Sequence, residues 1–366
     1  MKKGLAGRGG SLMGFVPNRI LLLRLSSIGD VIHAIPAFQA LREALPEAEI
    51  GWAVEPAAAP LVHRLPDLDH VHELDIQCWR GALFSPATWR AGSAALREIK
   101  ERNYDIALDL QGLWKSALIA RSSGAYTLGM ATSDLRERGA RHLYHAQADA
   151  TAAQTHVTER GMRLAAAACP GVSGQARWPK IYNDADARAV KQGLATLSAP
   201  RPVLIHSAAN WSSKQYPEPR WAAVGREIND ATGLSVLWLW GPGERDRAVR
   251  LAELAGHGNQ ACFQTELPEL AALMGQAAVV IGGDSAPLHL AVACGAPVVA
   301  LFGPTDPARL GPLDPADHIV VRRLECSHCH RRTCPLGTNE CLDSIGPDEI
   351  VRAAIARLES CEGVER

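Results

Sequence analysis

A serine-rich turn near the start of the chain ends in an acid that could do chemistry. The turn 26–30, SSIGD, follows an apolar run typical of a buried strand and precedes helical spacing. Gly29 permits a tight turn and a close backbone approach. Asp30 would lie at the carboxyl end of the strand, where it could act on a substrate or merely cap the helix. The turn alone does not separate these roles.

A second strand-turn-helix segment combines glycines, an acid, a hydroxyl and a histidine. It covers residues 281–289, IGGDSAPLH. Free amides at the start of its helix, aided by the helix dipole, are suited to binding a phosphate. Asp284 could accept hydrogen bonds from a sugar or order the turn. His289 could face a ligand or be a satisfied structural histidine.

Three further loops follow apolar strands in the second half of the chain. Loop 208–214 offers Lys214, either a diphosphate contact or a solvated charge. Loop 240–244 offers Glu244, which could bind ribose hydroxyls or be a helix-start carboxylate. Loop 303–307 is a proline-rich turn that is uninformative by itself. Because four of the five loops lie in the second half, we expect a nucleotide there and Asp30 opposite it.

The apolar pattern predicts the scaffold that would position these loops. Its period alternates between strand and helix, which is typical of parallel sheets with crossover helices. Strands are predicted at 19–25, 50–54, 71–74, 106–110, 203–206, 234–239, 278–281 and 297–301. Helices are predicted near 32–45, 87–102, 113–122, 219–230, 244–255 and 286–294, and 184–197 could form another. Neither a Walker motif nor a clean dinucleotide fingerprint is present.

The length and the interrupted pattern predict two domains. A chain of 366 residues is about right for two cores. Prolines cluster near the middle, and the alternation then restarts. The predicted organisation is a disordered leader at 1–18, a Rossmann-like domain at 19–170, a linker at 171–200, a second Rossmann-like domain at 201–345 and a C-terminal helix at 346–366. The sheets are expected to face each other across a cleft.

The composition excludes several other classes. The chain is 47% hydrophobic and 21% charged, with a formal net charge of −1, which argues against a general nucleic-acid binder. No run approaches the roughly 20 apolar residues that span a bilayer. The leader carries two lysines but lacks the apolar centre of a secretion signal, so we expect a cytosolic protein.

Four of the nine cysteines are grouped near the C-terminus with metal-like spacing. They are Cys326, Cys329, Cys334 and Cys341, with two histidines between the first and third. A CxxC pair with two more thiols suits tetrahedral zinc, and reduced thiols or disulfides are the alternatives. The remaining five are scattered, which fits a reducing compartment. We assign this group no catalytic role.

The five loops, taken in order, resemble one family. RLSSIGDVIHAIPA, the Lys214 loop, WGPGE, GGDSAPLHLA and LFGPTDP are similar to motifs of the heptosyltransferases of lipopolysaccharide assembly, glycosyltransferase family nine. The likeness covers roughly residues 19–320. Segments between 79 and 164, including DLQGLWKS, resemble heptosyltransferases I, which add heptose to Kdo of the lipid A inner core. The cysteine group departs from that subgroup and is more like some heptosyltransferases II.

The resemblance implies a GT-B fold and inverting, metal-independent transfer from ADP-L-glycero-D-manno-heptose. It makes Asp30 the general base and Lys214 the diphosphate lysine. It assigns donor binding to Ser27, Gly29, Glu244, Asp284, Ser285, Ala286, Pro287 and His289. No cofactor is implied beyond the donor substrate. The binding of Kdo-lipid A further implies peripheral contact with the cytoplasmic face of the inner membrane.

Basic residues of the first domain are candidates for binding an acidic acceptor. They are Lys115, Arg136, Arg138 and Arg141, with a solvated basic face as the alternative reading. The alternative functions are heptosyltransferase II, another family member with a different acceptor or sugar, and a non-catalytic nucleotide-sugar-binding protein. A Rossmann dehydrogenase is disfavoured by the missing fingerprint.

Overall fold

Two six-stranded parallel sheets organise the chain, one in each of two units. A computed structural model describes residues 15–81 and 85–362. The first unit ends at Ile181 and the second begins at Tyr182. Most of the predicted leader, residues 1–14, lies outside the described residues.

The first unit has the strand order β3-β2-β1-β4-β5-β6. Its strands are β1 Arg19–Leu23, β2 Glu49–Val54, β3 His70–Glu73, β4 Ile106–Asp109, β5 Tyr126–Gly129 and β6 Ala146–Gln147. Its helices are α1 Ile28–Ala44, α2 Ala59–Val62, α3 Ile76–Gly81, α4 Pro86–Glu101, α5 Trp114–Ser122 and α6 Val157–Ala168, with a 3₁₀ turn at Arg138–Leu143.

The second unit repeats this architecture with the order β12-β11-β10-β7-β8-β9. Its strands are β7 Val203–His206, β8 Val236–Leu239, β9 Asn259–Ala261, β10 Val279–Gly283, β11 Val298–Phe302 and β12 His318–Val321. Its helices are α7 Asp184–Thr196, α8 Glu218–Thr232, α9 Arg245–Ala255, α10 Leu267–Met274, α11 Ala286–Ala293, α12 Pro307–Leu310, α13 Glu340–Asp343 and α14 Pro347–Glu362, with a 3₁₀ turn at Ser212–Lys214.

The order of strands places the candidate loops at the switch point of each sheet. In the first sheet β1 lies between β2 and β4. Strands β2 and β3 are added on one side of β1, and strands β4 to β6 on the other. In the second sheet β7 and β10 are neighbours at the corresponding switch point. Crevices at the carboxyl ends of such strands are where ligands bind in open α/β sheets. Asp30 follows β1, Lys214 follows β7 and Asp284 follows β10.

Each unit has its own apolar core beneath its sheet. Trp52 and Phe38 are fully buried in the first unit, and Trp221, Trp238 and Phe302 in the second. The predicted linker 171–200 contains α7, which packs against α10 of the second unit. Helix α14 packs against α8 and strands of the second sheet. None of the described helices is long and apolar enough to cross a membrane.

Candidate active site

Asp30 is fixed at the start of α1 by groups on its own turn. It occupies the third helical position, and its Oδ2 accepts hydrogen bonds from the backbone N–H and hydroxyl of Ser27, at 3.1 and 2.9 Å. The carboxylate therefore does cap the helix, as the structural alternative predicts. A quarter of its side chain stays exposed, so the cap leaves it open to a further partner.

A buried arginine is the second partner of Asp30. Arg24 Nη2 lies 2.5 Å from Asp30 Oδ1, and its Nη1 donates to the carbonyl of Leu110 beyond β4. Burial raises the pKa of the Asp30 carboxyl, but Arg24 and the hydrogen bonds from Ser27 outweigh it, so that the pKa is lowered. Arg136 adds a weaker contribution in the same direction. Asp30 is consequently ionised at neutral pH.

In the second unit Asp284 is the centre of a buried charge cluster. Lys214 Nζ donates to Asp284 Oδ2 at 2.6 Å, and His289 Nε2 lies 3.0 Å from Oδ1. Burial raises the pKa of Asp284, but His289 and Lys214 lower it by more. The net result is a pKa well below its usual range. Only 4% of the Asp284 side chain is exposed, so its oxygens are committed to these two neighbours.

The cluster places a cation beside the start of a helix. Ser285 is the N-cap of α11, and Ala286 and Pro287 begin the helix. The first amides of a helix have no partner within it, and the positive end of its dipole lies there. Lys214 Nζ also lies 4.4 Å from the centre of the Trp211 ring, which orients the lysine. Together these groups can bind a diphosphate.

The comparisons with known proteins agree with this arrangement. The family described as glycosyltransferase family 9 (heptosyltransferase) matches residues 93–339, well over half of the chain.

The chain belongs to glycosyltransferase family 9.

Relatives and solved structures extend the match to most of the glycosyltransferase. It is 31% identical to lipopolysaccharide heptosyltransferase 1 of Pseudomonas aeruginosa, over 86% of this chain and 87% of the relative. It is 32% identical to lipopolysaccharide heptosyltransferase 1 of Salmonella typhimurium, over 80% and 90%. The structure of E. coli heptosyltransferase WaaC with ADP superposes with a TM-score of 0.73 at 25% identity, covering 93% of this chain and 99% of that one. The predicted family and GT-B fold are confirmed.

The glycosyltransferase has a histidine in the second unit that sequence reasoning missed. His206, the last residue of β7, is buried, and its Nδ1 lies 3.2 Å from the Ser285 hydroxyl. Its Nε2 lies 3.7 Å from Glu244 Oε2, which also accepts from the backbone N–H of Gly241 at 2.8 Å. The proximity of His206 and the hydrogen bond from Gly241 lower the pKa of Glu244 despite partial burial. His206 therefore bridges two loops predicted to bind the donor. The sequence feature that could have identified His206 is its position at the carboxyl end of a predicted strand.

The four predicted acceptor residues fall into two groups. Lys115 Nζ donates to the buried Glu55 at 2.6 Å and to Ser26 Oγ at 3.4 Å, so its charge is already compensated. Arg136, Arg138 and Arg141 are exposed on the segment that includes the 3₁₀ turn Arg138–Leu143. Arg136 acts on Asp30 electrostatically, which places one predicted acceptor residue near the predicted base.

A buried acid supports the start of α5, the helix that carries Lys115. Asp109 ends β4 and accepts hydrogen bonds from the hydroxyls of Tyr144 and Ser116, at 2.6 and 2.8 Å. It also accepts from the backbone N–H of Gln111 at 2.9 Å. Burial raises the pKa of this carboxyl despite those bonds. Because Asp109 is completely buried, we interpret it as a structural residue and not as a second base.

The four grouped cysteines come together in the second unit. All four are free thiols and line the same cavity, with Ser213 and Pro304 among the other lining residues. Among the described residues, no three Cys, His, Asp or Glu side chains are already arranged as a metal site. The thiols are thus neighbours without being a closed ligand set.

Proposed function

We propose that the protein transfers heptose from ADP-L-glycero-D-manno-heptose to Kdo of the lipid A inner core. Two relatives that match most of the chain are lipopolysaccharide heptosyltransferases 1, and WaaC has been solved with ADP and with ADP-2-deoxy-2-fluoro heptose. The observation that carries the proposal is the Lys214–Asp284–His289 cluster beside the start of α11. It has the charge and the amides that an ADP-sugar requires.

The second unit would bind the donor through three kinds of contact. Lys214 and the first amides of α11 receive the diphosphate, while Glu244 accepts hydrogen bonds from nucleoside hydroxyls. Asp284 acts mainly through its neighbours, because both of its oxygens hold protein groups. As the sugar–phosphate bond breaks, negative charge grows on the departing ADP, and the same cation and dipole stabilise it. These residues can therefore carry the leaving-group chemistry without a metal ion.

Asp30 would act as the base. The acceptor oxygen attacks the anomeric carbon, the bond from that carbon to the diphosphate oxygen breaks with its electron pair leaving on ADP, and Asp30 takes the hydroxyl proton. Its lowered pKa keeps it ready as a carboxylate but makes it a weak base. Its contribution is accordingly orientation of the hydroxyl more than basicity, and Arg24 and Ser27 supply that orientation.

The acceptor's carboxylates and phosphates would bind the exposed arginines of the first unit. The charge of Arg136 lowers the pKa of Asp30, which indicates that the two side chains are close. Arg138 and Arg141 continue the basic segment. Lys115 would join them by exchanging Glu55 for an acceptor anion. Arginine is suited to this task because its planar fork matches carboxylate and phosphate groups.

We also propose that helix α5 touches the cytoplasmic face of the inner membrane. Trp114 and Leu118, one helical turn apart, are 44% and 54% exposed. An aromatic and an aliphatic side chain close to exposed arginines suit an interface with anionic lipid headgroups. Co-sedimentation with vesicles containing anionic lipid tests this contact: binding that is absent at low salt, or unaffected by Leu118→Gln, would refute it.

An acceptor screen with ADP release as the readout tests the proposed reaction. We expect turnover with ADP-heptose and Kdo-lipid A without any added divalent metal ion. Turnover only with an acceptor that already carries heptose would instead indicate heptosyltransferase II, to which the chain is 24% identical over 94% of its length. Donor binding without turnover on any acceptor would indicate a nucleotide-sugar-binding protein.

A further inference from the structure

The cysteine segment, residues 326–341, follows β12 and ends within α13, and none of its side chains is assigned to the reaction. Within it, Cys326, Cys329, Cys334 and Cys341 all line one cavity of about 20 Å³. A space of that size holds about one water-sized sphere, which also suits a single metal ion. The other five cysteines do not line this cavity. Four thiols around a space for one small sphere are an unusual concentration of soft ligands.

The backbone of this segment turns sharply beside the thiols. His328 and His330, which flank Cys329, have φ values of +62° and +54°, and Asn339, two residues before Cys341, has +47°. Non-glycine residues adopt this left-handed region at a cost of roughly 1–2 kcal/mol each. Three such residues within the segment indicate that something stabilises this path of the chain.

The segment also clamps the turn that presents Lys214. The Arg331 carbonyl accepts a hydrogen bond from the Ser213 hydroxyl at 2.6 Å, and the Arg332 carbonyl accepts from the Ser213 backbone N–H at 3.2 Å. From the other side, Asn339 Nδ2 donates to the Ser212 carbonyl at 3.1 Å. The 3₁₀ turn Ser212–Lys214 is therefore held by residues that lie directly between or beside the cysteines.

A second loop is held in the same way. The His330 backbone N–H donates to the Pro304 carbonyl at 2.8 Å. A Cβ on Gly303 would lie 3.1 Å from Cys341 Sγ and 2.8 Å from the Leu342 side chain, so this segment packs closely on the end of β11. The cysteine segment thus joins the loops that follow β7 and β11.

We propose that the four cysteines bind one metal ion of tetrahedral thiolate preference, zinc or ferrous iron, and that this ion fixes the turn carrying Lys214. Zinc and iron both take four thiolate ligands in tetrahedral sites. The thiols are not yet arranged as a closed set, so binding draws them inward into the cavity. Each thiol releases its proton to solvent as its metal–sulfur bond forms. The role is structural, and no step of sugar transfer passes through the ion.

Metal analysis of the purified full-length protein, prepared without chelators from medium containing zinc and iron, is the first test. We expect one equivalent of zinc or iron per chain, and the elemental analysis identifies which. Cys329→Ser and Cys334→Ser should lose the ion, whereas Cys78→Ser, which removes an exposed thiol of the first unit, should retain it. A metal-free wild-type protein with four titratable thiols or with disulfides in this segment would overturn the proposal. So would full metal retention by both segment variants.

Cobalt substitution keeps the test decisive if the serine variants fail to fold. Stripped wild-type protein reconstituted with Co²⁺ should show the visible bands and sulfur charge-transfer absorption of a tetrahedral thiolate site. Their absence would contradict the proposal.

The link to Lys214 has its own readout. The stripped protein should bind ADP several-fold more weakly than the reconstituted protein, whatever the acceptor. Equal ADP affinity in the two forms would refute the positioning role. Because metal content is measured without turnover, the outcome is independent of whether the proposed sugar transfer is correct.

Discussion

Asp30 and Asp284 occupy equivalent places in the two units, yet their surroundings suit them to different tasks. Each follows a strand at a switch point and lies at the start of a helix. Each has a lowered pKa because neighbouring charges and hydrogen bonds together outweigh burial. They differ in access, since 25% of the Asp30 side chain is exposed against 4% of Asp284. The exposed carboxylate can meet a hydroxyl, whereas the buried one can only hold its neighbours in place.

Replacing the exposed acid should give the largest loss of activity. We expect Asp30→Asn to lower kcat by about 10²–10⁴-fold, the usual value of a positioned proton acceptor. Binding of ADP, measured by calorimetry, should stay at the wild-type level because the diphosphate and nucleoside contacts are proposed for the second unit. Full activity in this variant would remove Asp30 from the mechanism.

Replacing the buried acid, Asp284, should mainly lower stability and donor affinity, unlike the replacement of Asp30. Asp284→Asn removes the anion that Lys214 and His289 share, so we expect a loss of about 3 kcal/mol in the free energy of unfolding of this unit. Donor KM should rise because Lys214 loses its anchor. Denaturant unfolding and donor titration measure the two effects. A variant with wild-type stability but no turnover would instead place Asp284 in direct contact with the reacting sugar.

The pH dependence of that stability follows from the sign of the shift. The pKa of Asp284 is lowered in the folded state, so its contribution is fully present above the ordinary pKa of an aspartate, near 3.9. It disappears only as the pH falls through the folded-state value. Stability should therefore be independent of this group across the neutral range in the wild type.

Removing Arg24, the arginine beside Asp30, should change the pH dependence of activity and so test the role of Asp30. Arg24→Met leaves burial as the dominant influence, so the pKa of Asp30 should rise. The acid limb of the kcat/KM profile should then move to higher pH, and kcat should fall roughly tenfold to a hundredfold because orientation is lost. Arg24→Lys is the matched control that retains the charge. An unmoved acid limb in Arg24→Met would show that Asp30 does not set this limb.

The smallest effect is expected at His206, the histidine that joins the two loops proposed to bind the donor. His206→Ala removes the contacts with Ser285 and Glu244. We expect donor KM to rise by about fivefold to tenfold, the equivalent of one or two lost hydrogen bonds, with kcat nearly unchanged. Steady-state kinetics with the donor varied measures both constants. An equal fall in kcat and kcat/KM would contradict a role confined to donor binding.

The central strands could be predicted from the sequence because their residues are apolar on both faces. Strand 203–206 was predicted at its observed bounds, and the other predicted strands overlap β1 to β4, β8, β10 and β11. Strands β5, β6, β9 and β12 were not predicted. They have only two to four residues, and β6, β9 and β12 are edge strands, where burial on one side selects a weaker apolar pattern.

The candidate site could be predicted as a set of loops but not as a set of contacts. The pairing of Lys214 with Asp284 depends on the adjacency of β7 and β10, which are separated by two further strands in the chain. The pairing of Arg24 with Asp30 had one signal, a charged residue that interrupts the apolar residues 20–25. Glu55 and His206 each lie at the end of an apolar strand, but their roles became visible only through their partners.

The hydrogen bonds that the Arg331 and Arg332 carbonyls accept from the Lys214 turn have a consequence for synthesis. They join residues almost 120 positions apart, so the turn cannot be completed until nearly the whole chain has left the ribosome. A nascent chain ending before residue 331 would contain Lys214 and Asp284 but lack the carbonyls that hold the turn of Lys214. The proposed donor site would thus be completed only at the end of synthesis.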